Sequence, residues 1–126
     1  MKKTIATEKA PGAIGPYSQA VEAGGFIYTS GQLGLNPATG EFGKDVQEQA
    51  RLSLSNVQAI LEAAGSSMNQ VVKATVFLKD MNDFVSVNEV YSSFFEQPYP
   101  ARSAVEVARL PKDALVEIEV IAWKGE

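Results

Sequence analysis

The residues best suited to chemistry lie near the C-terminus, in two runs that alternate like β-strands. Residues 100–107 begin with a proline, and Arg102 follows at the start of the predicted strand. A guanidinium presents its donors as a planar fork, so Arg102 could bind a carboxylate through two hydrogen bonds. In residues 116–120, Glu117 and Glu119 share one face of the second predicted strand. This pattern indicates either an anion pocket with a carboxylate that holds water, or a structural ion pair.

The residue types that are missing restrict the chemistry further. The chain contains no histidine and no cysteine. Catalysis by Ser-His-Asp or Cys-His groups is therefore excluded, as are disulfides and metal sites built from His or Cys. Carboxylates, Tyr, Ser, Asn, Lys, Arg and water remain as catalytic groups. An all-carboxylate Mg²⁺ site is chemically possible, but no spacing of the acidic residues indicates one.

The overall composition is that of a globular protein. With 126 residues, 45% of them hydrophobic and 21% charged, we expect one domain spanning residues 1–126. A net charge of −4 argues against nucleic-acid binding, which depends on clustered Lys and Arg. No apolar run approaches the length of a membrane span, and the N-terminus lacks the apolar segment of a signal peptide. We therefore expect no membrane partner and a cytoplasmic location.

The periodicity predicts an α+β protein with the element order β-β-α-β-α-β-β. The two helices can cover only one face of such a sheet, and many apolar residues remain for the other face, so the pattern also predicts a homo-oligomer. The last two strands are predicted to form a hairpin. The predicted strands are 17–22, 26–30, 71–78, 102–108 and 115–123, and the predicted helices are 45–64 and 83–95.

The first helix has the clearest boundaries. Asp45 and Glu48 have the spacing of an N-terminal capping box, and Gly65 is a typical residue after a helix end. Its apolar stripe predicts a scaffold role, and no residue on this helix is predicted to be functional. Asn82 or Asp83 is predicted to cap the second helix.

Alternation also predicts which strand residues face the core. In strand 71–78, Val72 and Ala74 are predicted to share one face. In the last strand, Glu117 is predicted to lie opposite the helix-covered face, with Arg102 on the neighbouring strand as its partner. The predicted inward residues of the last strand are Val116, Ile118, Val120 and Ala122.

Three further residues have two interpretations each. Gly31 and Gly34 could let backbone N–H groups face a ligand, or could lie at a strand end or bulge, which is the simpler interpretation. Asn88 lies at the edge of the second helix's apolar stripe and must find hydrogen-bond partners, which a neighbouring loop could supply.

Four segments spread along the chain match a known pattern. They are Ile14-Gly15-Pro16-Tyr17, Tyr28-Thr29-Ser30-Gly31-Gln32, Val87-Asn88, and the stretch 100–119 with Pro100-Ala101-Arg102-Ser103 at its start and Glu117-Ile118-Glu119 at its end. In these segments the sequence resembles the RidA group of the Rid family. Members are reactive-intermediate enamine/imine deaminases, once described as translation inhibitors or endoribonucleases.

The resemblance implies a fold, an assembly and an activity. The fold would be chorismate-mutase-like, with a mixed sheet of about six strands and two helices on one face, in a homotrimer with pockets between subunits. The activity would be deamination of 2-iminobutanoate and 2-iminopropanoate, and of related intermediates such as 2-aminoacrylate, to 2-keto acids and ammonia. No cofactor would be needed.

The resemblance also implies roles for single residues. Arg102 would bind the substrate carboxylate, Glu117 would hold or activate the attacking water, and Tyr17 would lie near the imine nitrogen or the water. Glu119 is the weaker candidate for the water. RidA proteins often have a cysteine where this chain has Ala104, so thiol-based regulation is not expected. The other implied pocket residues are Ser30, Gly31 and Asn88.

Two alternatives stay open at this point. A non-catalytic trimeric module that binds 2-keto acids, or regulates a partner protein, would use Arg102 as a clamp but give Glu117 no catalytic role. An endoribonuclease is the least favoured, because the chain is acidic and lacks histidine and a basic, aromatic stripe.

Overall fold

The computed structural model describes residues 1–125, which form one mixed sheet of seven strands with two α-helices packed on one face. This confirms the predicted α+β architecture with both helices on one side. Neither helix is long and apolar enough to cross a membrane within these residues. The strands are β1 (Lys3–Ile5), β2 (Ala20–Ala23), β3 (Phe26–Thr29), β4 (Gln32–Leu33), β5 (Val71–Leu78), β6 (Ala101–Glu106) and β7 (Val116–Trp123), and the helices are α1 (Val46–Ala63) and α2 (Phe84–Ser92).

The order of strands in the sheet is β1-β2-β3-β7-β5-β6, and β4 pairs with the first part of β7. All pairs are antiparallel except β5 with β6. The predicted C-terminal hairpin is therefore wrong, because β5 lies between β6 and β7. Helix α2 connects β5 to β6, and a helical crossover places two strands in parallel, as neighbours.

The predicted faces of β7 are confirmed. Val116, Ile118 and Ala122 have no exposed surface, and Val120 is almost fully buried, so this side of β7 packs against α1 in the core. The alternate residues, including Glu117 and Glu119, are only partly buried on the side without helices. We call that side the open face.

Strand β5 departs from simple alternation at its start. A bulge between Val71 and Lys73 leaves Val72 as the extra residue, so Val71 is buried and Val72 is exposed. The prediction that Val72 and Ala74 share one face is therefore wrong, because Ala74 lies in the helix-covered core and Val72 is exposed.

The ends of α1 follow the predicted signals except for one half of the capping box, since the Glu48 carboxylate accepts from the Lys44 N–H at 3.0 Å and not from Asp45. The Asp45 side chain accepts a hydrogen bond from the Glu48 backbone N–H at 2.8 Å. Gly65 has φ of 84°, a backbone conformation that glycine adopts without strain. Asp83 occupies the N-cap position of α2 but makes no capping hydrogen bond with its side chain.

Candidate active site

An open cleft of about 650 Å³ lies where β7 begins, on the open face. Three segments line it: the loop before β2, the segment from the end of β3 to residue 40, and the turn that leads into β7. Of the residues assigned roles by resemblance, the cleft brings together Tyr17, Ser30, Gly31 and Glu117. Glu119 lies two residues further along β7, opposite Thr75, and does not line the cleft.

Glu117 stands directly against the backbone of Gly31. A Cβ atom at position 31 would lie 2.7 Å from the carboxyl carbon of Glu117, so any side chain there would displace the Glu117 carboxyl. Glycine at position 31 therefore allows the Glu117 carboxyl to lie close to the backbone just after the end of β3. Burial raises the pKa of the Glu117 carboxyl, and repulsion by the Glu119 carboxylate raises it further.

Tyr17 and Ser30 supply neutral polar groups to the same cleft. The Ser30 hydroxyl donates to the Ser18 carbonyl at 2.6 Å, so its oxygen can accept but its hydrogen is already used. The Tyr17 phenol oxygen accepts from the Ile14 N–H at 3.4 Å. Its own hydrogen can therefore be donated to a bound molecule. The two hydroxyls differ in role, one as acceptor and the other as donor.

Arg102 lies at a different place, on β6 at the edge of the sheet. One guanidinium nitrogen, Nη1, donates to Asn88 Oδ1 on α2 at 2.7 Å. The guanidinium carbon lies 5.2 Å from the Phe84 ring centroid and 4.7 Å from the Tyr91 ring centroid. Two cation–π contacts and one hydrogen bond thus anchor the guanidinium on α2. The exposed side chain makes no other hydrogen bond within residues 1–125.

Arg102 and Glu117 do not meet within one chain. Arg102 pairs with Ala74, whose side chain faces the helices, whereas Glu117 pairs with Phe77 on the open face. Strand β5 lies between them as well. The predicted contact between Arg102 and Glu117 on neighbouring strands is therefore wrong, for the same reason as the hairpin: α2 places β6 beside β5.

Sequence reasoning missed four residues at these two places. Phe84 and Tyr91 lie at helical spacing on either side of Asn88, so their common face could be predicted, but their contact with Arg102 depends on the register of β6 with β5. Gln19 lines the cleft through a buried side chain, and Lys112 is its one cationic lining residue. Lys112 has φ of 56°, which nothing in the sequence indicates.

No group of three or more metal-ligating side chains is present in the part of the chain that the structure describes. Arg102 can bind a carboxylate, and Glu117 can accept a proton when ionised.

Known proteins resemble this chain over nearly its whole length. The family model described as endoribonuclease L-PSP matches residues 7–124. A 2-iminobutanoate/2-iminopropanoate deaminase from Escherichia coli is 60% identical, over 97% of this chain and 98% of that protein. A RutC family protein from Pyrococcus horikoshii is 58% identical, over 98% and 99% of the two chains.

Solved structures agree with this sequence match. The crystal structure of E. coli TdcF with bound serine superposes with a TM-score of 0.93 at 54% identity, and covers 98% of this chain and 99% of that one. The match confirms the resemblance to the RidA group. The chain belongs to the endoribonuclease L-PSP family, which is the Rid family.

Proposed function

We propose that this protein is a 2-iminobutanoate/2-iminopropanoate deaminase, which hydrolyses reactive enamine and imine intermediates such as 2-aminoacrylate to 2-keto acids and ammonia. The observation that carries the proposal is the 60% identity, over 97% of the chain, to a protein with that name. The residues at the two places on this chain are of the types that the reaction requires.

The first requirement is to hold a small 2-imino acid by its carboxylate. Arg102 uses one donor on Asn88 and keeps the rest of its fork for an anion. The aromatic rings of Phe84 and Tyr91 fix the plane of the guanidinium, so a bound carboxylate would also have one orientation. Orientation matters because hydrolysis needs water aligned with C2.

The second requirement is to deliver water and move protons. The oxygen of water bonds to C2 while the C=N π electrons move to nitrogen, and ionised Glu117 takes a proton from the water. That proton passes to the nitrogen. The hydroxyl proton then passes through Glu117 to the NH2 group as the C2–N bond breaks, so that ammonia leaves and the hydroxyl oxygen becomes the C=O oxygen of the 2-keto acid. The Tyr17 hydroxyl donates a hydrogen bond near the nitrogen or the water, and Ser30 and Gly31 line the pocket.

Both requirements are met at one place only if two copies of the chain associate. Within one chain, Arg102 faces the helix side of an edge strand and Glu117 faces the other side. We therefore propose a homotrimer in which Arg102 and Asn88 of one subunit complete the cleft of the next. The exposed apolar side chains on the open face, among them Tyr28 and Val105, support burial against other copies.

The test couples a purified serine or threonine dehydratase to this protein and follows the decay of imine absorbance. Wild-type protein is expected to accelerate the decay, and Arg102→Ala is expected to lose the acceleration while its size in solution stays the same. Unchanged decay with wild-type protein would contradict the enzyme. Full activity of Arg102→Ala would contradict the assignment of the clamp.

The same assay separates the enzyme from a binding module. If the protein is a non-catalytic trimer that binds 2-keto acids, Glu117→Ala should still bind 2-ketobutyrate. Neither the wild type nor any variant should then change the rate of imine decay. The enzyme is expected to bind 2-ketobutyrate in that variant and to lose turnover. Equilibrium titration with 2-ketobutyrate checks that the variant still binds, and imine decay with wild-type protein and with Glu117→Ala distinguishes the two.

A further inference from the structure

Helix α1 carries three buried polar side chains, Gln49, Ser53 and Asn56, which we call the buried polar row. Their exposed fractions are 6%, 0% and 1%. A polar side chain buried in this way is destabilising unless it is hydrogen-bonded. The partners of the row therefore show what it holds in place.

Two members of the row bind the backbone of β4 and the loop after it. The Ser53 hydroxyl donates to the Gln32 carbonyl at 2.7 Å. The Asn56 amide donates to the carbonyls of Leu33 and Leu35, at 3.2 and 2.9 Å. All three acceptors belong to residues that line the cleft, so these bonds fix the wall that faces Glu117.

The third member, Gln49, joins two separate segments. Its amide nitrogen donates to the Gly43 carbonyl at 3.2 Å, at the end of the loop after β4. Its amide oxygen accepts from the Leu115 N–H at 2.9 Å. Leu115 lies two residues before Glu117, so one side chain connects the loop to the segment that carries the carboxylate.

The packing around Gln49 leaves no room for adjustment. A Cβ atom at Gly34 would lie 2.4 Å from Gln49 Cα, and one at Gly43 would lie 2.7 Å from Gln49 N. The loop backbone thus rests directly on the helix backbone. A change in the position of Gln49 must move the loop, the start of β7, or both.

We propose that Gln49, supported by Ser53 and Asn56, is a positioning residue that holds the Glu117 carboxylate against Gly31. The catalytic consequence rests on the proposed function, but the positioning itself does not. Because Arg102 lies on β6 and, within residues 1–125, makes no hydrogen bond with the row, we expect Gln49 to act on the carboxylate half of the site alone.

The test uses Gln49→Met, which has a similar length but can form neither hydrogen bond. A matched control is Ile60→Ala, which removes core packing one turn beyond the row on the same helix. To separate positioning from a general loss of stability, the two variants are measured at temperatures equally far below their own melting temperatures. If Gln49→Met fails to fold, Ser53→Ala removes a single bond of the row and is expected to act in the same direction, more weakly.

The first measurement needs no catalysis. In protein labelled at the glutamate carboxyl carbons, the Glu117 signal is assigned by its loss in Glu117→Gln and followed through a pH titration. The titratable groups near this carboxyl are Glu119, Lys112 and Tyr17, and all are unchanged in the variants. In Gln49→Met we expect a lower titration midpoint, because a carboxylate released from Gly31 is better hydrated. A wild-type midpoint in Gln49→Met, or the same shift in Ile60→Ala, would overturn the proposal.

The second measurement is kinetic. In imine hydrolysis, Gln49→Met is expected to lower kcat about tenfold with KM within about twofold of wild type, because only the carboxylate moves. An equal loss in Ile60→Ala, or a change in KM alone, would overturn the proposal. If wild-type protein does not hydrolyse imines, the proposed function fails, and the titration still decides the positioning role.

Discussion

At the scale of single residues, Glu117, the carboxylate proposed to accept the proton from water, lies in an environment that disfavours its charge. Burial raises the pKa of its carboxyl, and the Glu119 carboxylate raises it further. Only the ionised form can accept a proton from water, so kcat should rise with pH through the pKa of Glu117 and then level off. We expect the midpoint of this acid limb to lie above the ordinary range for glutamate.

The measurement is the pH dependence of imine hydrolysis, corrected for spontaneous decay at each pH. Glu117→Gln should lower kcat by roughly 10²- to 10³-fold and remove the acid limb. Glu119→Gln is the matched control: it should keep most of the activity and move the limb to lower pH, because one source of repulsion is gone. A limb at or below the ordinary glutamate range would contradict this prediction.

Asn88 allows a second prediction at this scale, because its amide oxygen occupies one donor of Arg102. Asn88→Asp would place a carboxylate there, and an ion pair with Arg102 would compete with the substrate. We expect Asn88→Asp to raise KM more than tenfold, and Asn88→Ala to raise it roughly threefold. Titration with 2-ketobutyrate checks the order, and tighter binding by Asn88→Asp than by Asn88→Ala would contradict it.

At the scale of elements, the N-termini of the two helices differ although an aspartate precedes each. Asp45 accepts the Glu48 N–H, whereas the Asp83 side chain caps nothing. We expect Asp45→Ala to lower the free energy of unfolding by about 1 kcal/mol, and Asp83→Ala by less than about 0.5 kcal/mol. Urea denaturation at a fixed protomer concentration measures both, and equal losses would contradict the prediction.

The helices and strands also show how much of the fold can be predicted from the sequence. Periodicity predicted α1 and both faces of β7, because both elements are long enough to show a repeat. Ordinary capping residues also marked the ends of α1. It missed β1 and β4, which have three and two residues and thus no period to detect. It also misplaced β6, because strand order depends on the path of α2 and not on the composition of β6.

The candidate site could be predicted only in part, for a related reason. Residue types pointed to Arg102 and Glu117, and alternation placed Glu117 on the open face. Nothing in the sequence indicated that Arg102 faces the helices, since that depends on register with β5. The two hydrogen bonds of Gln49 join segments that are far apart in the sequence, so they could not be predicted from it. The helix that carries Gln49 was predicted to be a scaffold only.

At the scale of the whole molecule, the separation of Arg102 from Glu117 leads to a test of the proposed assembly. If each pocket takes Arg102 from one subunit and Glu117 from the next, Arg102→Ala and Glu117→Gln damage different contributors to the same pocket. In a trimer that contains both variants, one of the three pockets has both native residues. At one of the three subunit boundaries, a subunit with native Arg102 adjoins a subunit with native Glu117.

Refolding the two variants together in equal amounts should therefore restore activity that neither has alone. Random assembly makes three quarters of the trimers mixed, each with one intact pocket in three, so about one quarter of wild-type activity is expected. The control is the same variants refolded separately and mixed afterwards, which should remain inactive if subunits do not exchange. If Arg102 and Glu117 of the same chain formed the pocket, every pocket would lack one residue and co-refolding would restore nothing.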